Sequence, residues 1–325
     1  MVKVGMLSKW HVHAVDYAKH IQNSDIAQIT AVWDDDETRG KEWADSLGCT
    51  FYSKLEDILS DSNVDAVICD APTTQHYEIL KKAAAAGKHI FTEKVLAPST
   101  AQCKELAKCF DDAGIKFAIS FPHRTTPVEL LAKQMINDGK FGTISLVRIR
   151  KAHDGVSGNW LPKYWFEEKD AAGGALMDLG CHPMYLSTWL LGNPIRIASL
   201  ITAPLGSKVD DAATASIEFE NGAVCTAETS FISYRAPDSI EIYGTDATLL
   251  SIGGNLQLYT KEHPGSPITP ELPECKPLPI MQFLQACHDN TSVPEDFSAQ
   301  EAIKLTHLLE NAYISDRENR IVSLA

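Results

Sequence analysis

Apolar positions follow two rhythms along this chain. Through the first third, short runs rich in β-branched and aromatic residues alternate with stretches whose apolar positions recur at helical spacing. The runs at 2–7, 26–33, 64–69, 88–92 and 116–121 read as strands, and the stretches at 12–21, 55–59, 76–86 and 101–113 as helices. Strands alternating with helices imply βαβ crossovers, so residues 1–121 are expected to form a doubly wound parallel sheet that takes ligands at the carboxyl ends of its strands. After residue 121 the rhythm changes. Strand-like runs at 144–152, 195–203, 212–219, 223–231, 239–243, 248–252 and 256–260 follow one another, with turn signals at Glu220-Asn221-Gly222 and Gly253-Gly254-Asn255. Residues 122–325 are therefore expected to form an α/β domain carrying a large, open, mainly antiparallel sheet, with one face free for a partner. The Pro-rich stretch 264–279 reads as a surface loop, and helical patterns at 280–288 and 299–315 close the chain.

Bulk properties narrow the classes of function. Of the 325 residues, 44% are hydrophobic and 22% charged, the balance of a folded globular chain. A formal charge of −14 repels phosphate backbones and anionic lipid, which argues against nucleic acid and membrane partners. The opening Met-Val-Lys-Val-Gly-Met-Leu enters a strand directly, without the order of a signal peptide, and a cytoplasmic location is the expectation. The eight cysteines are scattered, with no C-x-x-C pair, and read as free thiols in the packing.

Candidate chemistry begins at the first strand-to-helix turn. A dinucleotide-binding sheet places G-x-G-x-x-G there so that main-chain amides approach the pyrophosphate. In Leu7-Ser8-Lys9-Trp10-His11-Val12-His13 the three glycine positions hold Ser8, Trp10 and His13, leaving side-chain donors at Ser8, Lys9, His11 and His13 to replace them. No metal site is expected at His11 and His13, because alternate residues on a helix diverge by about 200°. Asp34 closes the second strand, where an acidic side chain accepts from adenosine ribose hydroxyls; its other reading is a solvated charge.

Three further segments lie in order: Ala71-Pro72-Thr73-Thr74-Gln75-His76, then Gly87 to Ala97 with Thr92-Glu93-Lys94-Val95, and Gly173-Gly174-Ala175-Leu176-Met177-Asp178-Leu179-Gly180-Cys181-His182. With them the chain resembles, over nearly its whole length, the glucose-fructose oxidoreductase and inositol 2-dehydrogenase family, often called Gfo/Idh/MocA. The resemblance implies an N-terminal Rossmann domain, a C-terminal domain with a large open sheet, NAD or NADP as cofactor, and oligomers built on that sheet. It places Ala71, Pro72, Thr73, His76, Glu93 and Lys94 beside the cofactor with Ser8, Trp10, His11, His13 and Asp34, and it makes Lys94, Asp178 and His182 the catalytic set. Four positions depart from the family pattern: the phosphate-loop glycines, Val95 for proline, Phe166 for arginine, and Tyr185 where an aspartate commonly follows the histidine.

The residue types suit that role. A lysine at the carboxyl edge of a parallel sheet can stabilise a developing alkoxide, and a histidine can take a hydroxyl proton. On one helix Asp178, His182, Tyr185 and Trp189 would share a face, although Pro183 favours a start near Cys181 with Asp178 in the approach. Gly180 would let a sugar come close to the backbone. Arg124 matches a family arginine that orients a substrate hydroxyl or carboxylate. Trp160, Tyr164 and Trp165 are candidates for packing on a sugar face or, equally, for core packing. Asp34, Asp35 and Asp36 oppose the 2′-phosphate of NADP, and the nearest arginine is Arg39, so NAD is expected over NADP. The expected protein is an NAD-dependent dehydrogenase of a sugar or polyol, assembled as a homodimer or homotetramer. A binding protein without turnover is the alternative from another class, and redox-assisted glycoside cleavage a third.

Overall fold

The computed structural model describes residues 1–324, except for the side chains of Phe166, Glu168 and Lys169, so the expectation at Phe166 lies outside the described residues. The chain divides into two compact units, Met1–Pro122 with Pro277–Thr306, and His123–Lys276 with the chain from His307 onward.

In the first unit the elements run β1 (Val2–Leu7), α1 (Ala14–Gln22), β2 (Ala27–Trp33), α2 (Glu37–Leu47), β3 (Thr50–Tyr52), α3 (Leu55–Ser60), β4 (Ala66–Cys69), α4 (His76–Ala85), β5 (His89–Thr92), α5 (Thr100–Ala113) and β6 (Phe117–Ile119). Their order in the sheet is β3-β2-β1-β4-β5-β6, and every pair is parallel. The order reverses at β1, the position where such sheets open a crevice for ligands. β4 is buried along its whole length, as a strand covered on both faces must be. The sequence reading misses α2 because its buried stripe is only Gly40, Trp43 and Ala44 in an otherwise polar run. The expected boundary at residue 122 is corrected at the far end of the chain. The helix Pro279–Asp289 belongs to the first unit, where Ile280, Phe283 and Leu284 are buried and Phe283 lies 5.9 Å from Phe91 of β5.

The second unit holds α6 (Pro127–Asn137), β7 (Ile144–Ala152), α7 (Glu168–Ala171), α8 (Ala175–Asp178), α9 (Cys181–Leu191), β8 (Pro194–Thr202), β9 (Ala212–Phe219), β10 (Val224–Ser230), β11 (Ser239–Gly244), β12 (Ala247–Ile252), β13 (Asn255–Thr260), β14 (His263–Ile268) and β15 (Val322–Ser323). The sheet order is β14-β13-β12-β11-β7-β10-β9-β8-β15, antiparallel except where β7 runs parallel to β10. α8 and α9 pack on the central strands β7, β9 and β10. The stretch expected as a loop from 264 begins instead as edge strand β14, whose backbone pairs with β13 although all its side chains are exposed. The sequence reading also leaves α6 unassigned.

Gly174, just ahead of α8, shows why the double glycine is needed. Asp210 accepts the main-chain N–H groups of Gly174 and Leu176, at 2.9 and 2.7 Å, and the Tyr313 hydroxyl at 2.8 Å. A Cβ at Gly174 would fall inside the contact radius of the Asp210 carbonyl oxygen and amide nitrogen. Gly174→Ala is therefore expected to cost about 1–3 kcal/mol, read as a lowered melting temperature in a thermal scan. An unchanged transition would contradict this packing.

Candidate active site

The carboxyl edge of the parallel sheet collects an unusual set of titratable groups. β1 ends at Leu7, and Ser8 turns the chain with φ 70°, the left-handed backbone that glycine ordinarily supplies. The turn thus keeps the shape of a phosphate loop without its glycines, at a cost on the order of 1 kcal/mol. The Ser8 hydroxyl oxygen accepts the Trp10 N–H and donates toward Asp35 at 3.1 Å. Trp10 is buried.

At the end of β2, Asp34 is buried and heavily engaged. It accepts the main-chain N–H groups of Lys9 and Asp36, at 2.8 and 2.9 Å, and the guanidinium of Arg39. Burial pushes its pKa up, against the hydrogen bonds from Arg39 and those backbone amides. The reading as a solvated charge is corrected, since Asp34 is buried and paired with Arg39. Arg39 reaches Asp35 as well, at 2.8 Å.

The expectation that His11 and His13 diverge is also corrected. Both precede α1, which begins at Ala14, so helical spacing does not apply, and both rings reach the Glu93 carboxylate. His13 Nδ1 lies 2.9 Å from Glu93 Oε1, and His11 Nε2 lies 3.8 Å from Oε2. The three potential ligand atoms fall within 4.8 Å of one another. Ring chemistry nevertheless disfavours a metal: His11 Nδ1 accepts the His13 main-chain N–H at 3.2 Å, which leaves the neutral ring's proton on Nε2, the atom that would have to ligate. Tyr17 and Ser120, which the sequence reading passed over, complete the cluster. The Tyr17 hydroxyl contacts Glu93 Oε1 and lies 2.7 Å from the Ser120 hydroxyl.

Glu93 is fully buried. Burial opposes its ionisation, but His11 and His13 outweigh that and hold its carboxyl well below the usual range, with help from Lys94. Lys94 follows it directly, is 5% exposed, and donates its main-chain N–H to Glu93 Oε2 at 3.0 Å; the Lys94–Val95 peptide bond is cis. His76, expected beside the cofactor, is a buried strut between two loops, with Nδ1 2.8 Å from the Val95 carbonyl and Nε2 3.0 Å from that of Ala71. Burial pushes its pKa down, so a neutral ring donates to only one of the two. Ala71, Pro72 and Thr73 are buried at the same edge.

In the second unit Asp178 ends α8 and His182 lies in the first turn of α9, the arrangement Pro183 favours. Asp178 accepts the indole N–H of Trp165 at 3.2 Å. His182 Nδ1 lies 3.0 Å from the Tyr185 hydroxyl. Packing alone requires glycine at 180, since a Cβ there would lie 2.7 Å from the Leu176 carbonyl and 2.9 Å from Thr229. Arg124 is corrected too. It is 1% exposed, donates to the Tyr185 carbonyl at 3.1 Å, and sits over the rings of Tyr185 and Trp189, a structural placement rather than a substrate-facing one. Of the aromatic trio, Trp160 is exposed against His153, while the exposed Tyr164 ring lies 6.4 Å from that of Trp165, which is buried on Asp178.

Asp70, at the end of β4, is the least compensated group on the sheet edge. It is fully buried, and neither carboxyl oxygen has a hydrogen-bond partner among the described residues. Burial and the neighbouring Glu93 charge push its pKa well up. A raised folded-state pKa means that its contribution to stability is complete below the unfolded value of about 3.9 and is lost as pH rises. Asp70→Asn should therefore raise the melting temperature near pH 7.5 by roughly 2–4 °C, about 1 kcal/mol, with the gain vanishing below about pH 4. Melting curves across pH check this, and a loss of stability at every pH would refute it.

Comparison with known proteins agrees with the two-sheet fold. The model of the oxidoreductase family, NAD-binding Rossmann fold, matches residues 4–121, and that of the GFO/IDH/MocA C-terminal domain matches residues 130–250. An uncharacterized oxidoreductase, YrbE of Bacillus subtilis, is 27% identical over 253 residues, 75% of this chain and 70% of the relative. A D-xylose 1-dehydrogenase (NADP(+)) of Haloferax volcanii is 30% identical over 213 residues, 63% of this chain and 62% of its own. A levoglucosan dehydrogenase solved with NADH and levoglucosan shares the fold, with a TM-score of 0.86 at 22% identity over 99% of both chains. Both domain models match in order, one on the parallel sheet and one on the mixed sheet, and the chain belongs to the Gfo/Idh/MocA family of NAD-binding oxidoreductases.

Proposed function

We propose that the protein is an NAD-dependent oxidoreductase that transfers a hydride between nicotinamide and the hydroxyl or carbonyl carbon of a sugar, polyol or sugar derivative. The observation that carries this reading is Lys94, an ammonium-bearing side chain buried at the carboxyl edge of a Rossmann sheet. A positioned ammonium in a site shielded from water acts strongly on charge that develops beside it. Here it would hold the reacting oxygen as negative charge develops on it. His182 would hydrogen-bond that oxygen, and Asp178 would orient or bind the substrate alcohol. The edge also suits a dinucleotide, since Ser8 keeps the glycine-type turn and α1 presents the positive end of its dipole there. The bound dinucleotide supplies the hydride acceptor or donor. Relatives named for D-xylose, levoglucosan and scyllo-inositol support the substrate class.

NAD is the proposed cofactor because Asp34, Asp35 and Asp36 outnumber Arg39, which is itself engaged by Asp34 and Asp35. The local field stays unfavourable to a 2′-phosphate. Titration with both reduced dinucleotides, followed by fluorescence, should show tighter NADH binding; tighter NADPH binding would reverse the assignment. A homodimer or homotetramer is proposed on the second sheet, whose strands expose Leu146, Leu200, Ile252 and Tyr259. A monomeric mass by light scattering at micromolar concentration would count against it.

Lys94→Ala and His182→Ala should each lower turnover by roughly 10²-fold or more while dinucleotide binding survives. Asp178→Asn should cause a milder loss. Steady-state kinetics over a panel of sugars and polyols, following absorbance of reduced cofactor, checks this. Near-normal turnover in Lys94→Ala would sink the mechanism, and dinucleotide binding with no turnover on any substrate would favour a binding protein.

A further inference from the structure

Position 185 carries chemistry that the family pattern does not supply. Tyr185 lies one turn after His182 on α9 and is completely buried. Its hydroxyl lies 3.3 Å from the main-chain nitrogen of His123 and 3.0 Å from the Nδ1 of His182. A main-chain N–H can only donate, so the phenol oxygen accepts on that side. Burial pushes the phenol's pKa well up, so it keeps its own proton through the neutral range. That proton is directed to the ring nitrogen. The hydrogen-bond chain therefore has one polarity: His123 N–H to Tyr185 oxygen, and Tyr185 O–H to His182 Nδ1.

A carboxylate at position 185 would reverse the chain. It can only accept, so it would hold the proton on Nδ1 and leave Nε2 as a lone pair, the arrangement of a general base. We propose that Tyr185 is a positioning residue that fixes His182 as the Nε2–H tautomer, so that the imidazole presents a hydrogen-bond donor, not a base, to the substrate oxygen. This rests on the reading of His182 under Proposed function and deepens it. Taking up the hydroxyl proton then falls to another group, and the site is preorganised for an oxygen that accepts, as a carbonyl or a developing alkoxide does. The substrate form it favours is the keto sugar or keto polyol.

The surroundings of the pair also bear on its protonation. His123 meets the His182 ring edge-on at 4.8 Å, and its own Nδ1 lies 3.9 Å from Glu129 of α6. Glu129 is 4.0 Å from Lys151 of β7. The Arg124 guanidinium sits 5.5 Å from the Tyr185 ring centre, Cys181 precedes His182 on α9, and Asp178 ends α8. The group at hydrogen-bond distance from Nδ1 is a neutral phenol, whose O–H stabilises the uncharged ring.

The test is long-range proton–nitrogen NMR on protein labelled with ¹⁵N-histidine, with the His182 signals identified by their loss in His182→Gln. In the wild type near pH 7.5, Nδ1 should resonate as an unprotonated nitrogen and Nε2 as a protonated one. The reverse pattern overturns the proposal, without need of any variant. In Tyr185→Phe the tautomer preference should weaken and the His182 titration midpoint should rise, since a donor to the neutral ring is gone. No change in either would assign Tyr185 a packing role alone and also overturn the proposal. The measurement uses resting protein, so it is independent of turnover. The expected tautomer in a protein that oxidises or reduces no sugar would sink the dehydrogenase reading and leave the Tyr185–His182 arrangement standing. In active protein, Tyr185→Phe should lower kcat on the order of tenfold with KM for the dinucleotide unchanged.

Discussion

A fully buried carboxylate must be matched by donors or cations, and Glu93 imposes that requirement on the whole edge of the first unit. Its oxygens draw His13, His11, Tyr17 and the Lys94 main-chain N–H together. The turn after β1, the first turns of α1 and the segment after β5 are thereby tied to one point. Glu93 is held ionised by this ring of groups, while Asp70 at the neighbouring strand end has no such compensation and is driven toward its neutral form. Two carboxyls on adjacent strands thus take opposite charge states through environment alone, a common way for one site to separate acid from base.

Asp210 plays the corresponding part in the second unit. By accepting two main-chain N–H groups at the start of α8 and the Tyr313 hydroxyl, it fixes where α8 begins, and so where Asp178 ends it. The chain then breaks at Leu179 and Gly180 and restarts as α9, which puts His182 in a first turn, where Pro183 costs no internal hydrogen bond. Arg124 completes this framework. Its charge is accommodated by the Tyr185 carbonyl and two aromatic faces, and it holds the 3₁₀ turn at residues 122–125 against α9.

Two departures from the family pattern, Ser8 and Tyr185, bring side-chain hydrogen bonds of their own. Ser8 adopts the backbone of the missing glycine and adds a hydroxyl that binds within the loop. Tyr185 stands where a carboxylate would accept and, because a main-chain N–H already occupies its oxygen, it donates instead.

Sequence alone determined what depends on periodicity and on order along the chain. The alternation of apolar runs announced the parallel sheet, because buried parallel strands cannot tolerate polar residues on either face. Motif order at 71–76, 92–95 and 173–182 announced the family, and Pro183 announced the helix start at Cys181. Tertiary structure decided what depends on which groups meet across long separations. The polar helix α2 and the return of Pro279–Asp289 to the first unit are stabilised by packing that leaves little local signal. Arg39 on Asp34, both histidines on Glu93 and Arg124 between two rings were not legible, because a charged residue reads the same in sequence whether solvated or buried. The direction of a hydrogen bond at His182 lies further still from the sequence: it is set by a main-chain N–H 62 residues from Tyr185, at a distance of 3.3 Å from its hydroxyl, and only the folded chain brings the two together.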